Sequence, residues 1–199
     1  MDPLRVNGEV VWEGVLVPAH LRTTRVEWID EGLRALAAGG PDAVRVETVA
    51  SSLHVTKGGF YHHFRDRQAL LDAMLDTWEE TLVDRAIESS DRGGGDGRTR
   101  LRRLFSAANA SEDLLALELS VRDWARRNPS VAERVRRVDR RRQAYLRPLF
   151  AEFCDDPADV EGRCLLVLTL FVGESLVSAT HGRRTRPSVA AAAVRHLLR

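Results

Sequence analysis

The chain has 199 residues, 44% of them hydrophobic, which is enough to form a packed core in one domain of ordinary size or in two small ones. This composition excludes a disordered chain, and the two cysteines, Cys154 and Cys164, are too few for a disulfide scaffold or a four-cysteine zinc site. The formal net charge is only +1, so any surface that attracts nucleic acid must be a local patch.

The first 20 residues lack the basic start and continuous apolar run of a secretory signal, so we expect a cytoplasmic protein. Residues 1–19 are predicted to be an N-terminal arm, which is either mobile and disordered or pairs as a short strand through EVVWEGVLV. The apolar segment Cys164–Thr180 is 17 residues long and is interrupted by a Gly-Glu-Ser triplet. A buried helix explains it better than a membrane span does, and no membrane partner is expected.

From Arg22 onwards apolar residues recur at steps of three and four, which predicts a first helix that ends at Gly39-Gly40-Pro41. Two short helices are predicted next, Val46–Leu53 and Thr56–His63, and the turn between them is only two or three residues long. Two short helices joined in this way form a helix-turn-helix.

The rest of the chain is also predicted to be helical, because no alternating apolar pattern is long enough to propose a sheet. Asp66 is predicted to cap a long helix over residues 66–88, and the glycine-rich segment Ser89–Gly97 follows it as a loop. The helix that begins at Asp156 is predicted to run to about His181. Capping residues and prolines mark the later helix starts: Ser111, Asn128-Pro129, Asp156-Pro157 and Pro187.

The segment VRVETVASSLHVTKGGFYHHFRDRQALLDAML (Val44–Leu75), preceded by the helix WIDEGLRALAAGG, resembles the N-terminal DNA-binding domain of TetR-family transcriptional regulators. The resemblance is specific over about residues 22–78, and beyond them only helix number, length and apolar pattern agree. It implies an all-α fold of about nine helices. A three-helix helix-turn-helix domain would occupy residues 20–66 and an effector-binding and dimerisation domain residues 67–199, with helix 66–88 connecting the two.

The resemblance also implies what the protein does. Members of the family are homodimeric, ligand-responsive regulators, usually repressors, which a small hydrophobic molecule releases from palindromic double-stranded operator DNA. Neither a cofactor nor an enzymatic activity is expected. Two alternatives remain: an all-helical metal-binding protein or enzyme that uses His54, His62 and His63, and a non-specific architectural DNA binder.

The third helix would be the recognition helix, whose first turn meets base edges and phosphates in the major groove. Gly58 and Gly59 remove side chains there, so that backbone N–H groups can approach the DNA. Lys57 is the only lysine in the chain, and it projects from the same side of the helix as Tyr61, whereas Phe60 is predicted to lie on the side that packs onto the first helix. The predicted DNA contacts are Arg45, Thr48, Thr56, Lys57, Gly58, Gly59, Tyr61, His62, His63 and Arg67.

Two positions bear on the comparison with the family. Arg67 follows the Asp66 cap, where the family commonly has a basic residue that contacts a phosphate. His54 stands in the turn where the family usually has glycine in a left-handed conformation, which histidine tolerates at some cost. The three histidines make a poor metal site, because His62 and His63 point about 100° apart on a helix. No metal is therefore predicted.

The second half of the chain is predicted to surround an apolar effector pocket, although its aromatic side chains could equally serve as core. Arg142 interrupts an apolar stripe and Glu174 is isolated in an apolar segment, so each needs a partner if it is buried: a side chain, the facing subunit or a ligand. The run Arg134–Arg142 is instead predicted to be a solvated helix surface. The predicted pocket residues are Trp78, Phe105, Leu117, Trp124, Arg142, Tyr145 and Glu174.

The last two predicted helices are apolar on more than one face and therefore need two packing partners. In the family the second partner is the same helix pair of another subunit, which gives a four-helix interface. The predicted interface residues are Leu168, Phe171, Val172, Val189, Ala193 and Leu197.

Overall fold

The computed structural model of the protein describes residues 4–6, 9–12, 15–16, 23–108, 112–173, 176–178 and 180–199. Within these residues it contains nine α-helices, as the sequence predicted. They are α1 Arg25–Gly39, α2 Val46–Ser52, α3 Lys57–Phe60, α4 Arg67–Asp91, α5 Gly97–Ala108, α6 Glu112–Ala125, α7 Pro129–Ala151, α8 Pro157–Gly173 and α9 Arg186–Leu197.

Three short strands precede the helices: β1 Leu4–Val6, β2 Glu9–Trp12 and β3 Val15–Leu16. They pair antiparallel in the order β1-β2-β3. Of the two alternatives for this segment, the structure therefore has the strand. The chain divides into two units, Met1–Thr77 and Trp78–Arg199, and the boundary falls within α4.

In the first unit, α1 begins with a capping box. Glu27 N–H donates to Thr24 Oγ1 at 3.3 Å, and Thr24 N–H donates to the Glu27 carboxylate at 2.6 Å. The predicted stop of this helix is confirmed, since Gly40 has a φ of 71° and its N–H donates to the Leu36 carbonyl at 2.8 Å. The predicted cap of α4 is confirmed as well, because Asp66 Oδ1 accepts from Ala69 N–H at 2.8 Å.

In the second unit, α7 packs against α5, α6 and α8. Phe150 is fully buried at the centre of one apolar cluster, to which α5, α8 and α9 contribute Leu101, Cys164 and Leu197. Asn128 caps α7 by accepting from Ser130 and Val131 N–H at 3.1 and 3.3 Å. Caps at Asp156 and Thr185 begin α8 and α9, so these helix starts are close to the predicted ones, and Ser111 lies outside the described residues.

The prediction that the helix from Asp156 runs to about His181 is wrong, because α8 ends at Gly173. Glycine is a poor helix former, and the serines and threonine that follow add little helix propensity. No helix in the described part of the chain is long and apolar enough to cross a membrane.

The arginine run on α7 is mostly solvated, as predicted, because Arg136, Arg137, Arg140 and Arg141 are exposed. Some of its arginines nevertheless form ion pairs with α4. Arg134 and Arg137 donate to Glu79 Oε1 on α4, at 2.7 and 2.9 Å, and Arg141 forms an ion pair with Asp84 on the same helix. These arginines therefore tie α7 to the part of α4 that belongs to the second unit.

Candidate nucleic-acid interface

The turn between α2 and α3 has the left-handed conformation that the resemblance to the family implied. His54 has a φ of 56° and is the one non-glycine residue with positive φ in the described ranges. The turn is closed by His54 N–H donating to the Ser51 carbonyl and by Val55 N–H donating to the Ala50 carbonyl, both at 3.0 Å. These backbone bonds stabilise a histidine in a region that β-carbon-bearing residues seldom occupy.

Helix α3 is anchored by Phe60, which is fully buried. Its ring packs edge-on against Trp28 of α1 and stacks on Phe64, with centroid separations of 5.4 Å in both cases. The predicted packing of Phe60 onto the first helix is thus confirmed. The predicted helical extent is too long, since α3 ends at Phe60 and residues 61–63 form a turn, in keeping with the low helix propensity of two adjacent glycines.

Anchoring Phe60 leaves the opposite face of α3 exposed. Thr56, Lys57, Gly58 and Tyr61 are all exposed, and Tyr61 retains 56% of its accessible surface. A Cβ added at Gly58 would meet only Thr56 Oγ1, at 3.6 Å, so nothing within the protein requires glycine there. Gly59, in contrast, is buried. Of the two glycines, Gly58 is therefore the one that exposes its backbone at the surface.

Lys57 forms an ion pair with Glu47 of α2, and both side chains are exposed. The hydrogen bond and charge of Glu47 raise the pKa of Lys57, and the hydrogen bond from Lys57 lowers the pKa of Glu47. Both groups are therefore charged at neutral pH, and a carboxylate stands beside the lysine of the recognition helix. Glu47 was not among the predicted residues, because it lies ten residues before Lys57 and no local pattern relates the two.

The remaining predicted DNA contacts lie around this face. Arg45 and Thr48 are exposed at the start of α2, and Arg45 Nε donates to the Asp42 carbonyl at 3.3 Å. His62 is exposed and His63 is half-buried. Arg67 is half-buried, and its guanidinium donates to two backbone carbonyls, that of Val44 at 2.6 Å and that of Pro41. Arg67 thereby ties the first turn of α4 to the loop before α2.

Comparison with known proteins decides what this arrangement is. Residues 29–74 match the description "Bacterial regulatory proteins, tetR family". Over 164 residues the chain is 30% identical to the HTH-type transcriptional repressor Rv1474c of Mycobacterium tuberculosis, which covers 76% of this chain and 80% of that protein. The chain belongs to the TetR family.

Solved structures show the same fold. A transcriptional regulator from Rhodococcus sp. Rha1 matches with a TM-score of 0.70 and 21% identity, covering 88% of this chain and 94% of the other. A bacterial regulatory protein in the tetR family from Rhodococcus RHA1 matches with a TM-score of 0.65 and 19% identity, covering 88% and 96%. This TetR-family protein is a DNA-binding transcriptional regulator and not an enzyme. In the described ranges no three His, Cys, Asp or Glu side chains are placed to hold a metal ion.

In the second unit of the regulator, a fully buried carboxylate, Glu118 of α6, lies among donors. Trp78 Nε1 donates to it at 3.2 Å, Arg122 Nε at 2.7 Å, and Arg142 Nη1 and Nη2 at 2.9 and 3.1 Å. Burial favours a raised pKa, but the hydrogen bonds and charges of Arg142 and Arg122 outweigh it and lower the pKa of Glu118. Arg122 also donates to both carboxylate oxygens of Asp139, at 3.1 and 2.6 Å.

The partner that Arg142 needed is therefore Glu118, which was not among the predicted residues. The sequence pattern does indicate that Glu118 is buried. It lies four residues after Leu114 and three before Val121, and so on the apolar stripe of α6. The other charge singled out, Glu174, lies outside the described residues.

The predicted pocket residues do not form one group. Trp78 and Arg142 meet at Glu118, and Arg142 also lies over the Phe171 ring, 5.3 Å from its centroid. Phe105 and Tyr145 pack against the cluster around Phe150 instead, and Tyr145 Oη donates to Asp91 Oδ1 at 2.6 Å. Leu117 and Trp124 are buried residues of α6.

Most of the predicted interface residues are partly exposed on α8 and α9: Leu168, Phe171, Val172, Val189 and Ala193. Leu197 is only 9% exposed and belongs to the core of its own unit. The most exposed apolar side chains of this region were not among the predicted residues. They are Leu165 at 60%, Leu166 at 55%, Leu176 at 64% and Val177 at 55%.

Proposed function

We propose that this regulator is a ligand-responsive repressor that binds a palindromic operator as a homodimer and is released by a small hydrophobic molecule. The observation that carries the proposal is the exposed face of α3, where Lys57, Gly58 and Tyr61 project from a helix whose other face is fixed by Phe60. Repression is taken from the name of the Mycobacterium tuberculosis relative, with which this chain shares the helix-turn-helix and most of its length.

Lys57 is the main residue that recognises DNA bases, with guanine as its preferred partner in the major groove. The neighbouring Thr56 and Gly58 also contact base edges. Tyr61, His62 and His63 lie toward the groove walls, where they contact the DNA backbone. Such phosphate contacts set the position of the protein without reading sequence.

Arg45, Thr48 and Arg67 provide further phosphate contacts at the flanks of α3. For Arg67 the geometry favours a supporting part, because Nε and one Nη already donate to backbone carbonyls. It holds the loop at residues 41–44, and Nη1 is the nitrogen left for a phosphate.

The exposed apolar residues of α8 and of the segment after it support a homodimer. Leu165 and Leu166 are adjacent on α8, and Leu176 and Val177 follow its end, so these side chains offer a further face for packing. Burying them against a second copy would place two recognition helices on one operator, with half-sites roughly 34–36 Å or more apart.

The second unit is the proposed effector-binding part. In this proposal the effector binds in the interior between α4, α6, α7 and α8. The Glu118 cluster supplies the polar group there, within apolar surroundings that include Trp78 and Phe171. A hydrophobic effector would release the DNA if it binds the DNA-released conformation more tightly than the operator-bound one.

The test is a gel shift of the full chain on its own upstream intergenic DNA and on a shuffled duplex of equal composition. We expect binding that prefers the upstream DNA and weakens in Lys57→Ala, Tyr61→Ala and Arg67→Ala, whereas Arg126→Ala, an exposed arginine on the turn after α6, serves as the control. Equal binding to both duplexes would favour the architectural DNA binder. Zinc retained through dialysis and lost in His62→Ala would favour the metal-binding alternative.

A further inference from the structure

A cleft in the second unit, between the end of α4 and the first turns of α5, is separate from the residues discussed so far. It is wide open to solvent and has a volume of about 550 Å³. Six side chains line it, all of them polar: Ser89, Arg92, Thr99, Arg102, Arg103 and Ser106. Three arginines and three hydroxyl-bearing residues therefore line one space, although Ser106 Oγ donates to the Arg102 carbonyl at 3.0 Å.

One of these arginines is held in place by the protein. Arg103 Nη1 donates to the Ser90 carbonyl at 3.3 Å and to the Gly94 carbonyl, so the side chain bridges the end of α4 and the glycine loop. The guanidinium thus lies at the wall of the cleft with little freedom to lose when a ligand binds.

The other two arginines are exposed, and no described carboxylate lies within ion-pairing distance of Arg92 or Arg102. Even Glu88, one helical turn before Arg92, forms no ion pair with it in the described structure. The nearby acids are engaged elsewhere: Asp91 accepts from Arg100 at 2.7 Å and from Tyr145 at 2.6 Å. Asp96 accepts from Thr99 N–H at 2.8 Å at the start of α5, and its pKa is lowered first by the hydrogen bonds from Thr99 and also by the charges of Arg102 and Arg98.

Neighbouring carboxylates therefore offset only part of the positive charge of the cleft, since none in the described residues pairs directly with Arg92 or Arg102. Guanidinium groups bind phosphate and carboxylate oxygens in pairs, and hydroxyl groups donate to the oxygens that remain. Three arginines suit a ligand that carries more than one negative charge. We propose that this cleft binds a small phosphate-bearing molecule with two or more anionic groups, such as a diphosphate ester.

This site is distinct from the proposed effector interior. None of its lining residues takes part in the Glu118 cluster, and a purely hydrophobic effector would offer no oxygen to its guanidinium groups. The regulator would then have two ligand sites of opposite chemistry, and the anion site can be tested without DNA and without knowledge of the effector.

The experiment is isothermal titration of the full chain with inorganic pyrophosphate at fixed ionic strength, with sodium chloride as the reference salt. We expect saturable binding of one pyrophosphate per chain. The double variant Arg92→Gln/Arg102→Gln should bind at least about tenfold more weakly, because each substitution removes a charged hydrogen-bond donor. Arg126→Gln, an exposed arginine outside the cleft, should bind as the wild type does.

Both substituted arginines are exposed, so the double variant should keep its thermal midpoint, which shows that any loss of binding is local. Absence of saturable binding to the wild type would overturn the proposal, as would equal binding to the double variant. So would a double variant that loses only its affinity for random duplex DNA, because the cleft would then be a nucleic-acid contact.

Discussion

Arg142 on α7 donates through Nη1 and Nη2 to both carboxylate oxygens of Glu118 on α6, at 2.9 and 3.1 Å, although Glu118 is fully buried. Arg122 and Trp78 donate to the same carboxylate, so each of its oxygens has more than one partner. A buried ion pair of this kind adds little stability over an apolar pair, but removing one partner leaves a charge without compensation. The cluster therefore makes the packing of α6 against α7 sensitive to single substitutions.

Glu118→Ala should lower the free energy of unfolding by about 3 kcal/mol, because it removes the buried carboxylate that Arg142 and Arg122 share and leaves Arg142 with only the 3.5 Å ion pair to Asp139. Urea unfolding followed by tryptophan fluorescence measures the change. The control is Glu133→Ala on α7, which breaks surface pairs with Arg136 and Arg140 and should change stability by less than about 1 kcal/mol. Equal losses of unfolding free energy in the two variants would contradict the inference that the buried Glu118 matters more to stability than a surface glutamate.

The Glu118 cluster also predicts a pH dependence. The folded-state pKa of Glu118 is lowered, so its contribution to stability is fully present above the ordinary glutamate pKa of about 4.3 and is lost as the pH falls through the folded value. Glu118→Gln cannot titrate at this position. The stability difference between wild type and Glu118→Gln should therefore be constant near neutral pH and shrink below about pH 4.3. A difference that does not change down to pH 3 would contradict this assignment.

The Lys57–Glu47 ion pair predicts opposite effects of its two partners on operator binding. Lys57→Ala should weaken binding about tenfold, as expected for loss of one charged contact to DNA. Glu47→Gln should strengthen binding, because it removes both a competitor for Lys57 and a negative charge near phosphates. Fluorescence anisotropy at two salt concentrations measures both. If Glu47→Gln binds more weakly than the wild type, Glu47 positions Lys57 rather than competing for it.

A substitution at Gly58 should affect DNA binding without reducing the stability of the fold. Gly58→Ala should leave the free energy of unfolding unchanged or raise it by up to about 1 kcal/mol, because the added Cβ meets only Thr56 Oγ1 and alanine favours a helix. Operator affinity should fall, because that Cβ stands where α3 approaches the DNA. Thermal unfolding and anisotropy on the same variant provide the two readouts. Unchanged affinity would mean that glycine is not required at the interface.

Local signals in the sequence were enough to predict the helix-turn-helix. Asp66 acts as a helix cap, and Phe60 packs on α1 in the way its position on the helix predicts. Each of these features depends on residues a few positions away or on the regular spacing of apolar side chains, which the sequence displays directly.

Contacts between distant residues were not predictable in the same way. Arg67 donates to the carbonyls of Val44 and Pro41, 23 and 26 residues earlier, and no spacing rule relates these positions. Glu118 pairs with Arg142, 24 residues away on another helix. Such pairs depend on how helices pack, which periodicity alone leaves open. The end of α8 at Gly173 was missed for a local reason, since one glycine outweighed the apolar pattern that continues past it.

The exposed apolar face of α8 predicts how the proposed homodimer can be broken. Leu165→Glu places a charge at a side chain that is 60% exposed, so the monomer should fold normally while the interface loses an apolar contact and gains a buried charge. Sedimentation velocity should show a shift from dimer to monomer. Val26→Glu, on α1, changes an equally exposed apolar residue of the first unit, at 63%, and should remain dimeric. A Leu165→Glu protein that stays dimeric at low micromolar concentration would place the interface elsewhere, and a wild type that is monomeric would contradict the homodimer itself.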